Sequence, residues 1–303
     1  MSATEGVSKP TADLVAFAAN GWAFREPVRA VAREIVLVTL LRAVTNARSA
    51  RVEIAAAEGP GPARMRARAI GRDALTTPLH AAFLTGLAAG DDPSLATPAV
   101  CAAFALGESV DASGASVLDA IVAGTEVAVR VGRALGPSHA ARGWDARGTC
   151  GRLGAAIAAA RVLGLQRAAV RDAFAIAATA AGGLGAARGT MVAAYVVAAA
   201  AADGVEAALL ARAEFSGAPL ALEGRRGLAA LMSDEFDAAT LVRGLGEEFA
   251  LENDVSPGAA TRAGGPALAE LRALVARLDR LPSIRAVVDA TQAPFANENT
   301  GLS

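Results

Sequence analysis

Apolar residues recur at three- and four-residue spacing over most of the chain, the period of a helix rather than of a strand. The pattern predicts helices over 13–20, 27–46, 78–89, 98–108, 113–135, 149–163, 167–181, 190–212, 234–245 and 266–281. Pro27 suits a first helical turn, where the missing N–H would have no partner anyway. Gly136-Pro137 marks the end of the helix over 113–135. Between Val52 and Ile70 the apolar positions are split by Gly59-Pro60-Gly61-Pro62, which reads as a hairpin or as a loop with weak strands. Residues 249–251 and 284–290 read as short strands, and 138–148 as a loop. Gly151, Gly154, Ala155 and Ala158 form a small-residue stripe that lets helix axes approach closely, so these helices should be buried on more than one side. Residues 198–202, all Ala, should face other helices or a second subunit.

Composition sharpens this picture. Eighty of the 303 residues are Ala and only 4% are aromatic, which favours helix and argues against a sandwich or barrel. The hydrophobic share of 53% is too high for a disordered chain. Net charge is -1, and no basic run interleaves with aromatics, which argues against nucleic acid as a partner. The longest purely apolar run, 191–202, is too short for a bilayer core of roughly 30 Å. With no leader-like start, the expectation is a cytoplasmic protein without a membrane segment. The chain shifts in character near 234–250, which divides it into a helical part, 1–245, and a smaller part, 246–303, that must lean on the first.

Chemistry-bearing residues are few. Lys9 is the only Lys, and His80 and His139 are the only His. Cys101 and Cys150 sit in apolar helical contexts and read as core thiols, while His139, just past a helix end, reads as exposed or bound to the helix dipole. No metal-ligand spacing exists, and no metal or cofactor is expected.

Three stretches carry a resemblance. They are the run from Ile121 to Gly136 (Ile-Val-Ala-Gly-Thr-Glu-Val-Ala-Val-Arg-Val-Gly-Arg-Ala-Leu-Gly), the run from Arg142 to Leu165 with its Gly-Trp-Asp-Ala-Arg-Gly-Thr-Cys-Gly core, and Phe215 to Gly224. In this order they resemble the MmgE/PrpD family, whose members include 2-methylcitrate dehydratase and cis-aconitate decarboxylase. The resemblance implies a mainly α fold: a large all-helical domain, here with a reduced, small α+β lid remnant, in a homodimer. It also implies a small-molecule substrate.

The family's functional positions are where this chain departs. Asp145, after Gly143-Trp144, stands where the family has His. Ala193, Ala194, Val196, Ala198 and Ala199 replace a Lys-Arg-x-His-like pattern. Asp91-Asp92 follow Thr85-Gly86 where the family has Asn-Gly…His…Asp-Asp, Thr97-Pro98 replaces His-Pro, and Ser256-Pro257 replaces a Lys-Pro-type motif. Di- and tricarboxylates need cationic partners when they leave water. Losing those partners implies a bulky, largely neutral, polyketide-like substrate in an apolar cavity, with lyase, isomerase or cyclase chemistry. Asp145, then Asp91 or Asp92, would act as acid or base with a raised pKa. The plain alternatives are that Asp145, between Arg142 and Arg147, forms a loop ion pair and that Asp91-Asp92, before Pro93, cap a turn or helix. Trp144, Tyr195, Met191, Thr97, Arg147 and Arg188 would line the substrate site. The alternative is a non-catalytic helical partner or binding protein. A closed apolar cavity lined by Asp145, Tyr195 and Met191 would favour the enzyme, and a centre packed solid with Ala the structural role. Arginines drawn in around the hollow would bring anionic ligands back.

Overall fold

The computed structural model describes residues 9–21, 23–57, 65–90, 92–253 and 266–292. The fold is mainly α. Twelve α-helices are present among the described residues, with one two-stranded sheet. In chain order they are α1 (Lys9–Ala19), α2 (Glu26–Asn46), α3 (Ala50–Ala57), α4 (Pro78–Ala89), α5 (Thr97–Ser109), α6 (Gly114–Ala141), α7 (Ala146–Val162), α8 (Arg167–Thr179), α9 (Met191–Arg212), α10 (Leu228–Met232), α11 (Pro266–Ala276) and α12 (Arg285–Ala290). The strands β1 (Ala67–Arg68) and β2 (Leu75–Thr76) pair antiparallel, Ala67 opposite Thr76.

The centre is α7, packed between α6, α5, α9 and α8, with α4 lying against α9. Small residues set the spacing. A Cβ on Gly154 would come 2.6 Å from the Gly124 carbonyl oxygen, and one on Gly204 would strike Ala155. At these two points α6 meets α7 and α7 meets α9 backbone to backbone. Ala155, Ala156, Ala158, Ala159 and Ala160 are fully buried, so methyl groups fill much of the centre, with Leu153 and Ile157 as the larger buried side chains of α7.

Helix α9 is longer than its purely apolar run and is long and apolar enough to cross a membrane by length and composition. Most of it is buried against α4, α7 and α8 instead, which makes it a core helix. The end expected at Gly136-Pro137 is a kink rather than a stop: Gly136 has φ +65° inside α6, and a Cβ there would lie 2.8 Å from the Glu235 side chain. The loop expected over 138–148 is correspondingly short, because α6 continues to Ala141 and α7 starts at Ala146.

Several local expectations are corrected. Residues 50–57 form helix α3 rather than a weak strand, and 58–64 lie outside the described residues. The helix expected over 234–245 is only a 3-10 turn, Ala238–Leu241. Residues 250–253 form a 3-10 turn and 285–290 a helix where strands were expected, so the described part of 246–303 carries no strand. Tertiary bonding explains the loss of the helix expected over 234–245. Asp237 N–H donates to the Ala134 carbonyl (2.8 Å) and Ser233 Oγ to that of Leu135 (2.6 Å), so the segment is spent capping α6 at its kink.

The residues after 245 are tied to the helical body. Ile284 N–H donates to the Ala112 carbonyl (2.9 Å), and Gly114 N–H to that of Leu281 (3.0 Å). On α6, Glu126 is fully buried. It accepts from Arg130 Nε (2.5 Å) and from the backbone N–H groups of Ala250 and Leu251 (3.0 Å each). Arg130 in turn donates to the carbonyls of Arg243 (2.7 Å) and Glu248 (2.8 Å). This one charge pair fastens the 241–251 segment to α6.

Candidate functional site

The start of α7 is built from three distant segments. Trp144-Asp145-Ala146-Arg147 is a local N-cap: Asp145 is extended (φ −96°, ψ 115°) and its carboxylate accepts from Arg147 N–H (3.0 Å). The Arg147 guanidinium then closes on the same carboxylate, Nε to Oδ1 at 3.0 Å and Nη2 to Oδ2 at 2.6 Å. Its Nη1 donates to the carbonyls of Gly90 (3.2 Å) and Asp92 (3.3 Å), which ties α7 to the turn between α4 and α5. From the third segment, Gly183 accepts from Asp145 N–H (3.0 Å), and Gly185 N–H donates to the Gly143 carbonyl (2.7 Å). Trp144 bridges to Leu184. Gly148 is required here, because a Cβ would run into the Gly182 carbonyl.

These segments frame a cleft of about 500 Å3. Pro93, Leu95 and Ala193 give it apolar walls, and Asp145, Arg147 and Arg188 give it charge. Three positions matched above to the family's functional segments, Asp145, Ala193 and the stretch after Asp92, therefore meet at one place. The charges sum to +1, and the Arg188 guanidinium, on an exposed loop, has no ion-pair or hydrogen-bond partner among the described residues.

The electrostatics correct the expected role of Asp145. The residue is buried. Burial alone would raise its pKa, but the hydrogen bonds from Arg147, together with the charges of Arg147 and Arg188, take it below the ordinary Asp value. A carboxylate with both oxygens engaged and a lowered pKa holds its charge and accepts hydrogen bonds. It is a poor proton acceptor near neutral pH.

The other expected residues scatter. Asp91 lies outside the described residues. Asp92 is buried, accepts from Ser94 N–H (3.0 Å) and faces Arg42 (3.7 Å), so it shapes the α4–α5 turn rather than the cleft. Thr97 is fully buried at the start of α5. Tyr195 and Met191 are more than half exposed and do not line the cleft; Tyr195 packs edge-on against Phe83 at 5.7 Å. Trp144 is half-buried against the hydrophobic core and does not line the cleft. Ala194 is buried against Gly90, so close that a Cβ on that glycine would strike it.

His139 is corrected from exposed to buried: its Nε2 lies 3.0 Å from Thr149 Oγ1 on α7, and burial pushes its pKa down despite the Asp145 charge. Cys101 and Cys150 are free, buried thiols whose pKa is raised by burial, Cys150 to about 12. No group of three or more metal-ligating side chains occurs among the described residues. Sequence reading missed the Glu126–Arg130 pair, although an acid and a base four residues apart on an otherwise apolar helix is a legible sign of a buried ion pair.

A search of curated proteins returned no match. Residues 25–241 match the MmgE/PrpD N-terminal domain. That span runs from α2 to the 3-10 turn at Leu241 and contains every segment that frames the cleft, so the chain belongs to the MmgE/PrpD family.

Proposed function

We propose that this chain is a divergent family member whose cleft at the start of α7 holds a bulky, largely uncharged small molecule by one anionic group at Arg188. The reaction class that fits is lyase, isomerase or cyclase chemistry on a polyketide-like specialised metabolite, promoted by the folding of the substrate against the walls rather than by a carboxylate base. The observation that carries this is the closure of Arg147 on Asp145, which leaves a single unpaired cation beside apolar walls. A tricarboxylate would bring three negative charges against one available guanidinium and the Asp145 charge. Arginine has thus entered the hollow, which narrows the expectation of a neutral ligand to one with a single negative end.

The test is a titration of the purified chain with naphthoate, naphthalene methanol, citrate and cis-aconitate. Naphthoate should bind best, with citrate and cis-aconitate at least about tenfold weaker, and Arg188→Gln should remove the advantage of naphthoate over the alcohol. Tight binding of citrate or cis-aconitate with turnover would overturn the reading.

A second reading, a non-catalytic helical binding or partner protein, is favoured by the fully engaged Asp145 carboxylate and the Ala-filled centre. Absence of product from any ligand that binds the cleft would select it. The homodimer belongs to the same proposal. It is supported by the exposed apolar residues Leu184, Met191, Val192 and Tyr195, which fall within one stretch at the start of α9. Tyr195→Arg should then shift sedimentation toward the monomer.

A further inference from the structure

A cavity of about 710 Å3 lies away from the α7 cleft, between the end of α8 and the loop leading into α10. Its lining includes Ala178, Leu220, Leu228, Leu231 and Met232, a floor of aliphatic side chains. Leu231 is more than half exposed, so this apolar surface opens to water. Arg225 and Arg226 stand on the same wall, both exposed, and neither guanidinium has a hydrogen-bond or ion-pair partner among the described residues. Glu223, the only carboxylate over 216–227, has an interaction partner of its own.

The loop that presents the two arginines is held by its own backbone. Gly224 N–H donates to the Leu220 carbonyl (3.0 Å), Gly227 N–H to that of Gly224 (2.6 Å), and Leu228 and Ala229 N–H to those of Ala221 (2.8 Å) and Leu222 (3.0 Å). Gly227 cannot carry a side chain, because a Cβ would come 2.7 Å from the Leu222 carbonyl oxygen. The cations therefore sit on a braced turn, at the edge of a volume within the range of small-molecule sites. Uncompensated adjacent guanidinium groups attract an anion, and an open aliphatic floor gains from covering by an apolar chain. Each feature alone is ordinary on a protein surface. Together they describe one ligand chemistry: an anionic head with an aliphatic tail.

We propose that this cavity is a second binding site, for a medium-chain amphipathic anion of the fatty carboxylate type, with Arg225 and Arg226 on the head group and Leu228, Leu231 and Met232 along the tail. The inference is independent of the proposed use of the α7 cleft.

The experiment is calorimetric titration of the full chain with decanoate below its micellar concentration, with decanol as the uncharged control. Saturable decanoate binding is expected, at least about tenfold tighter than decanol. Arg225→Gln with Arg226→Gln should weaken decanoate by about tenfold or more while leaving decanol unchanged. Leu231→Asp, at an exposed position that does not threaten folding, should abolish binding of both. Arg188→Gln should have no effect, which separates this site from the cleft. Absence of saturable decanoate binding would overturn the proposal. So would equal affinity for decanol, indifference to the double substitution, or loss of binding in Arg188→Gln.

Discussion

Two acid–arginine pairs with a buried carboxylate, Glu126–Arg130 and Asp145–Arg147, differ in what closes over them. Glu126–Arg130 lies in the middle of α6, four residues apart, and the backbone of 241–251 seals it: two N–H groups reach the carboxylate and two carbonyls accept short bonds from the guanidinium. Asp145–Arg147 lies at a helix start, two residues apart, and one side of it opens to the α7 cleft with Arg188 nearby. Both satisfy the carboxylate completely. The sealed pair works as a fastening. The open pair holds a wall of the cleft in place and contributes charge to it. A buried ion pair in an apolar chain thus says little by itself about function, and its exposure to a cavity says more.

The largest effect should come from breaking the sealed pair. Glu126→Ala leaves Arg130 buried without an anion and should cost about 3–5 kcal/mol in urea unfolding. Replacing both residues with Leu should cost less, because no charge is left unpaired, and a double replacement without any cost would mean that the pair fastens nothing. Asp145→Asn keeps an N-cap acceptor but removes the charge beside Arg147. Because the open side admits water, the expected loss is smaller, about 1.5–3 kcal/mol, and ligand binding in the cleft should survive. Abolished turnover in a folded Asp145→Asn chain would instead restore this residue to the chemistry.

A pH test comes next in size. His139, buried against Thr149, has a pKa below its unfolded value, so the unfolded chain binds more protons as pH falls through that value. Stability should therefore fall on acidification below about pH 6.5, down to the lowered folded-state pKa, and the slope should flatten in His139→Gln. Asp145, also lowered, adds its own loss at still lower pH, as pH falls through its folded-state pKa. The smallest stability effect is expected for Arg188→Gln, within about 0.5 kcal/mol of the parent, because its guanidinium has no partner among the described residues to lose. A large destabilisation there would show that Arg188 belongs to the wall rather than to the ligand.

Much of the helical body was legible from local pattern. The apolar spacing of α2, α4, α6 and α9 and the Gly136-Pro137 break are properties of residues a few positions apart, and the family resemblance drew attention to the turn at 142–148, although the Asp145 cap went unread because the helix was expected only from 149. The candidate site was legible only in part. Asp145, Arg147 and Arg188 were named and do meet, but Tyr195 and Met191, expected to line the same cavity, are exposed at the start of α9. The expected raised pKa of Asp145 assumed apolar neighbours, whereas Arg147 reached its carboxylate first.

What the amino-acid sequence determined alone is therefore a mainly α chain, its helix breaks and caps, and a hollow stripped of Lys and His at the positions matched to its family. Tertiary structure decided which charges are spent. Arg147 is committed because the carbonyls of Gly90 and Asp92, more than fifty positions away in the chain, converge on it, while Arg188 is left without such a partner. Helix propensity and capping act over one or two turns and can be read from neighbours in the chain. The pairing of a charge depends on distances between remote segments, and packing alone sets those distances.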